Sequence, residues 1–146
     1  LEAERGYHVV YKNASILPRN PMMMTIGKFG VTPMGGDLRC AGTVELGGIN
    51  FGPSKAPIRL LRRRVAEAFP KMTYDETEEW LGFRPTAPDS LPLIGQLKES
   101  GVYTAFGHQH IGMTSGPKTG RLISDIINNR SPNIDMSVYD PNRFNL

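Results

Sequence analysis

The sequence predicts an α+β fold, a mostly antiparallel sheet with flanking helices, and three observations point there. Residues 38–46 alternate with a period of two directly after Gly35-Gly36-Asp37, the mark of a strand leaving a hairpin. Ile58, Leu61, Val65 and Ala68 recur instead at helical spacing. Sixteen glycines and twelve prolines in 146 residues ask for many turns and short strands rather than a helical bundle.

The elements follow in order. Val9–Tyr11 is a short strand of β-branched and aromatic residues, and 13–21 reads as turn and loop. Met22–Phe29 is a strand candidate, with Gly30, Pro33, Gly35, Gly36 and Asp37 marking the reversal after it. Leu38, Cys40, Gly42, Val44 and Leu46 then share one face of an extended run that Gly47 and Gly48 end. The amphipathic helix that follows has Ser54 as N-cap, Pro57 in its first turn and Pro70 as its stop. Thr77–Arg84 is a strand, with Trp80 expected as a buried anchor. The proline-rich stretch 85–92 is a shaped loop. Val102–Phe106 is a further strand, followed by a glycine-punctuated turn and a second helix. That helix buries Leu122, Ile123, Ile126 and Ile127, with Ser115 as cap, Pro117 in the first turn and Asn129 at the exit. The last residues, 135–146, are expected to lie as a tail on the surface.

Composition removes several function classes. A single cysteine, Cys40, allows neither an internal disulfide framework nor a multi-cysteine metal site, and in mid-strand it reads as a small buried apolar residue. His8, His108 and His110 lack carboxylates at ligand spacing, so no metal is expected. Net charge is +3, and the one dense basic run, Arg62-Arg63-Arg64, falls on a helix face, so no nucleic acid is expected as partner. No apolar run is long enough to span a bilayer. Met22, Met23 and Met24 are assigned to packing rather than to a pocket. The opening residues Leu1-Glu2-Ala3-Glu4-Arg5 carry neither an initiating Met nor a signal pattern, which suggests a start inside a longer chain.

Two segments carry chemistry. Arg84 ends an apolar strand and is pinned by Pro85. A guanidinium so held can make two parallel hydrogen bonds to a carboxylate, or can pair structurally with Asp89 across the loop. The stretch from Val102 to Gly120 runs strand, glycine turn, helix. It either aims unpaired N–H groups and a helix dipole at an anion or an electron-rich ring edge, or is an ordinary strand-to-helix connection.

Taken together, these segments resemble the C-terminal part of the D-amino-acid oxidase superfamily of FAD-dependent enzymes, which includes glycine oxidase, sarcosine oxidase and D-amino-acid dehydrogenase. The likeness rests on Gly82-Phe83-Arg84-Pro85 followed by Pro92-Leu93-Ile94-Gly95, on Gly107-His108 and Gly112, and on the helix Thr119-Gly120-Arg121-Leu122-Ile123-Ser124-Asp125. Arg5-Gly6-Tyr7-His8 and residues 38–45 add to it in the correct order.

The resemblance implies that residues 6–97 are a portion of the substrate-binding domain and that residues 98–146 return, as strand and helix, to complete the FAD-binding domain. It implies FAD as cofactor and a small-molecule amine or amino acid as substrate, oxidised at its C–N bond by hydride transfer to the flavin. Arg84 and His110 would contact substrate; Gly107, His108, Gly112, Met113 and Thr114 would approach the flavin. No catalytic base is assigned, because a neutral amine beside a cationic site can release hydride without one. No Gly-x-Gly-x-x-Gly follows a strand in this chain. The N-terminal FAD-binding domain is therefore an expected partner, and the isolated 146 residues are expected to be inactive and to bind FAD weakly or not at all. A cytoplasmic location is expected, with peripheral attachment to the inner membrane as the alternative, and a homo-oligomer stays open. Two other readings remain: a binding module that shares the fold, and a flavoenzyme for an amine without a carboxylate.

Overall fold

The structure is a computed structural model that describes residues 1–144. It is α+β, and the chain divides into two compact units: residues 3–84, and residues 85–146 together with 1–2.

The first unit is built on a five-stranded sheet. Its strands are β1 (Glu2–Tyr11), β2 (Met22–Met24), β3 (Phe29–Met34), β4 (Asp37–Leu46) and β5 (Thr77–Thr86), in the order β2-β3-β4-β1-β5. The pairs β2–β3, β3–β4 and β4–β1 are antiparallel. The β3–β4 hairpin turns at Gly35 and Gly36, both left-handed at φ +60° and +99°, which only glycine adopts without cost. Alternation along β1 buries Arg5, Tyr7, Val9 and Tyr11 and leaves Gly6, His8 and Val10 on the other face.

Helix α1 (Lys55–Ala68) covers the buried face. Ile58, Leu61 and Val65 pack on Tyr7, Val9, Tyr11, Phe29, Val31, Leu38 and Cys40, making one apolar core. Cys40 is fully buried there, and loss of hydration pushes its thiol up to about 12, which makes it inert. The start of α1 is held in an unexpected way. Ser54 stands at the cap position but makes no side-chain cap bond; its hydroxyl goes to Glu45 (2.7 Å). Glu45 also accepts from Tyr7 (2.6 Å) and pairs with the buried Arg5 (3.3 Å), while Arg5 donates to the carbonyls of Gly47 and Gly52. These bonds tie both ends of the 47–54 loop to the sheet.

Two expected strands are redrawn. The run at 22–29 is not one strand: it splits into β2 and β3 around a reversal at 25–28, and β3 continues through Pro33. The even alternation expected of 38–46 is interrupted by a bulge opposite the Tyr7–His8 step, where Gly42 is the extra residue. A Cβ on Gly42 would sit 2.5 Å from the Phe29 Cα, so only glycine fits. Leu38 and Cys40 therefore point into the core, whereas Val44 and Leu46, expected beside them, are exposed on the opposite face.

The second unit pairs β6 (Leu93–Gln96) with β7 (Tyr103–Phe106), antiparallel, against α2 (Gly112–Ile127). Strand β6 emerges straight from the proline-rich loop, where no strand is expected. Helix α2 begins a turn earlier than expected, with Ile111 at the cap position; Ser115 lies inside it and donates back to the Ile111 carbonyl (2.9 Å), and Pro117 is likewise internal. Asn129, left-handed at φ +54°, forms the exit. The segment from 135 onward is more than a tail, because Arg143 clamps the loop. Its guanidinium meets both carboxylate oxygens of Asp89 (2.8 and 2.9 Å) and the Leu91 carbonyl (2.9 Å). Residues 145–146 lie outside the described residues. No described helix is long and apolar enough to cross a membrane.

Candidate functional site

Arg84 sits near the end of β5, and the Pro85 ring restricts its backbone to extended conformations. Its Nη1 lies 3.3 Å from Glu4 Oε1 on β1, and its Nη2 lies 3.7 Å from where a Cβ on Gly6 would be. The guanidinium thus lies over Gly6, on the face away from α1. Asp89, the structural partner considered from sequence, is taken by Arg143, which holds its carboxyl down at about 2. Glu4 is the carboxylate that orients Arg84.

Further along the same face, His8 stacks on Trp80 with ring centroids 4.7 Å apart. Trp80 is half exposed, which corrects the expectation of a buried anchor. Burial, and then the charge of nearby Arg39, lower the His8 pKa below its ordinary value, so the ring is neutral around neutral pH. Sequence reasoning weighed His8 only as a metal ligand and passed over Arg39. The available signal was register: His8 pairs with Ala41 and Val10 with Arg39, which puts them on the face of Gly6.

In the second unit, the sequence-predicted flavin contacts occupy one turn. Gly107 is buried and left-handed at φ +84°, with Leu93 Cδ1 3.4 Å from where its Cβ would be. His108 Nε2 bonds Thr119 Oγ1 (2.8 Å), which fastens the turn to α2. A 3-10 turn, Gln109–Ile111, carries the exposed His110 into the helix start. There Gly112 begins α2, and Met113 and Thr114 are exposed, Met113 almost completely. No side chain caps this start and no acidic residue stands in its first turn. Gly116 and Gly120 follow along the helix with open space where a Cβ would project. An uncapped, acid-free N-terminus flanked by exposed Ile111 and Met113 suits a flat ring with an electron-rich edge. The residues present fit a flavin.

One unit thus offers a held guanidinium on a sheet face, and the other an uncapped helix start. The family pattern for FAD dependent oxidoreductases (DAO) matches residues 1–126, and the chain belongs to this family. A D-amino-acid oxidase from Bradyrhizobium diazoefficiens is 37% identical over 149 residues, covering 99% of this chain and 35% of that protein. A D-amino acid dehydrogenase 1 from Mesorhizobium japonicum is 29% identical over 143 residues, covering 96% and 34%. The chain therefore spans about a third of the length of these two relatives. Among solved structures, a glycine oxidase from Geobacillus kaustophilus superimposes with TM-score 0.75 at 22% identity, covering 94% of this chain and 38% of that one. An L-proline dehydrogenase from P. horikoshii gives 0.76 at 23%, covering 99% and 40%. These two likenesses establish the fold.

Proposed function

We propose that this chain forms the substrate-binding and C-terminal part of an FAD-dependent enzyme that oxidises the C–N bond of an amino acid or secondary amine. The carrying observation is Arg84, a guanidinium oriented by Glu4 over a glycine on the face of the sheet away from the core. In this reading residues 6–97 belong to the substrate domain, and 98–146 complete a dinucleotide domain whose remainder comes from an N-terminal part of the same protein.

Arg84 receives the substrate carboxylate and fixes its direction. Its positive charge also lowers the pKa of the bound amine, favouring the neutral form that can give up hydride. Bound FAD would supply the hydride acceptor. In this reading the backbone at Gly112, Met113 and Thr114 would face the edge of the bound ring and would favour negative charge there without reorganising. On the same reading Gly107 and His108 hold that turn, and His110 contacts substrate. The protein, so read, works in the cytoplasm, with peripheral attachment to the inner membrane as the alternative.

The test is Arg84→Ala in the complete flavin-loaded polypeptide. Expected is a loss in kcat/KM on carboxylate-bearing amines on the order of 100-fold, with amines lacking a carboxylate affected far less. An unchanged substrate profile defeats the reading. A second reading draws on the Glu4 contact: if Arg84 is spent on Glu4, the substrate is an amine without a carboxylate, and Arg84→Ala then lowers stability instead of shifting the profile.

A further inference from the structure

The sheet face that carries Arg84 also carries a second arginine. Arg39 of β4 lies opposite Val10 of β1 and Thr32 of β3, between Leu38 and Cys40, which both point into the core. Its side chain therefore leaves the sheet on the face away from α1. Arg5, Arg62, Arg84 and Arg143 each face a carboxylate, but the Arg39 side chain forms no hydrogen bond or ion pair with any described residue. Its Nε is buried without a partner.

A cation with part of its guanidinium desolvated is costly unless an anion meets it. The neighbours do not provide one. Val10, Thr32 and Ala41 carry no charge, and His8 is neutral beside it. Asp37, two residues back on the same strand, is engaged by Lys12 (3.1 Å) and by the Asn13 backbone N–H (3.1 Å). Arg59 and Arg64 also lack carboxylate partners, but they stand on α1, which packs on the other face.

We propose that Arg39 receives an anionic group at the far end of the substrate, so that the amine oxidised is an amino acid with an acidic side chain. The proposal rests on the reading in which Arg84 holds the α-carboxylate. Arg84 lies over Gly6, and Arg39 stands on the row of Val10, four residues or about 13 Å further along β1. Between these rows lie Ala41 and the His8 ring stacked on Trp80, a floor over which a chain with an acid at each end can reach from one arginine to the other.

The experiment uses the complete flavin-loaded protein and both enantiomers of glutamate and glutamine, with glutarate and pentanoate as binding probes read by the change in flavin absorbance. Expected is a preference for glutamate over glutamine, and for glutarate over pentanoate, of about tenfold or more, the worth of one charge-assisted contact. Arg39→Met brings both ratios close to one, and Arg39→Lys retains part of each. Arg39→Gln makes the same comparison if the Met variant does not fold. A native protein indifferent within each pair, or an Arg39→Met protein that keeps both ratios, overturns the proposal alone. Failure to oxidise any amino acid, acidic or neutral, defeats the reading of Arg84 and this proposal with it.

Discussion

The two units bury apolar surface in different ways. Residues 3–84 close a helix over one face of a five-stranded sheet, with Val9, Val31, Leu38 and Cys40 fully buried. The second unit rests on a two-stranded ribbon and α2, where Leu93, Ile94 and Leu122 are buried but Val102, Ile111, Met113 and Ile127 stay exposed. Two strands are a marginal sheet, and here polar clamps supplement the thin core. Arg143 on Asp89, Asn142 on the Gln96 carbonyl (2.9 Å) and His108 on Thr119 do work that methyl groups do in the first unit.

The contrast can be broken by mutation. Leu61→Ala, beneath α1, is expected to cost about 4 kcal/mol, and Leu122→Ala, beneath α2, about 2.7 kcal/mol, the upper and lower parts of the range for such cavities. Urea denaturation measures both, and equal losses would contradict the difference in packing. Arg143→Ala is expected to cost about 2 kcal/mol, since it removes a forked ion pair together with three carbonyl contacts. Hydrogen exchange should show that loss within residues 85–144 and leave β1 and β4 protected. Met113→Ser, at an almost fully exposed position, should change stability by less than about 0.5 kcal/mol.

Acid sharpens the comparison, because the two units titrate in different windows. His8 has its folded pKa lowered below 6.5, so its contribution is complete above that value and is lost as pH falls through the lower folded value. His8→Phe should remove this step from a stability–pH curve. Asp89 is held at about 2 by Arg143, so the clamp contributes fully above the ordinary carboxylate value of about 3.9 and is lost as pH falls through about 2. Asp89→Asn should flatten that lower window and leave the upper one in place.

Local signals made much of this legible in the sequence. The spacing of Ile58, Leu61 and Val65 gave α1 almost to the residue, and Gly35-Gly36 gave the hairpin. Arg84 stood out because a proline fixes it. What escaped depended on partners far along the chain. Asp89 pairs with Arg143, and Arg84 with Glu4, across separations that no local pattern encodes. His8 and Arg39 become neighbours only through register. An isolated glycine in a strand is itself a bulge signal, and read that way Gly42 would have placed Val44 and Leu46 on the correct side.

That same glycine acts as a phase switch. On its N-terminal side the even-numbered residues of β4 belong to the core, and on its C-terminal side the odd-numbered ones do. Loss of one residue there would exchange inside for outside along half a strand, turning Arg39 toward the packed interior or Glu45 away from Arg5. The chemistry offered by this face is thus fixed by a count of residues as much as by their identity, and a lineage could rewrite it with a single-codon insertion or deletion.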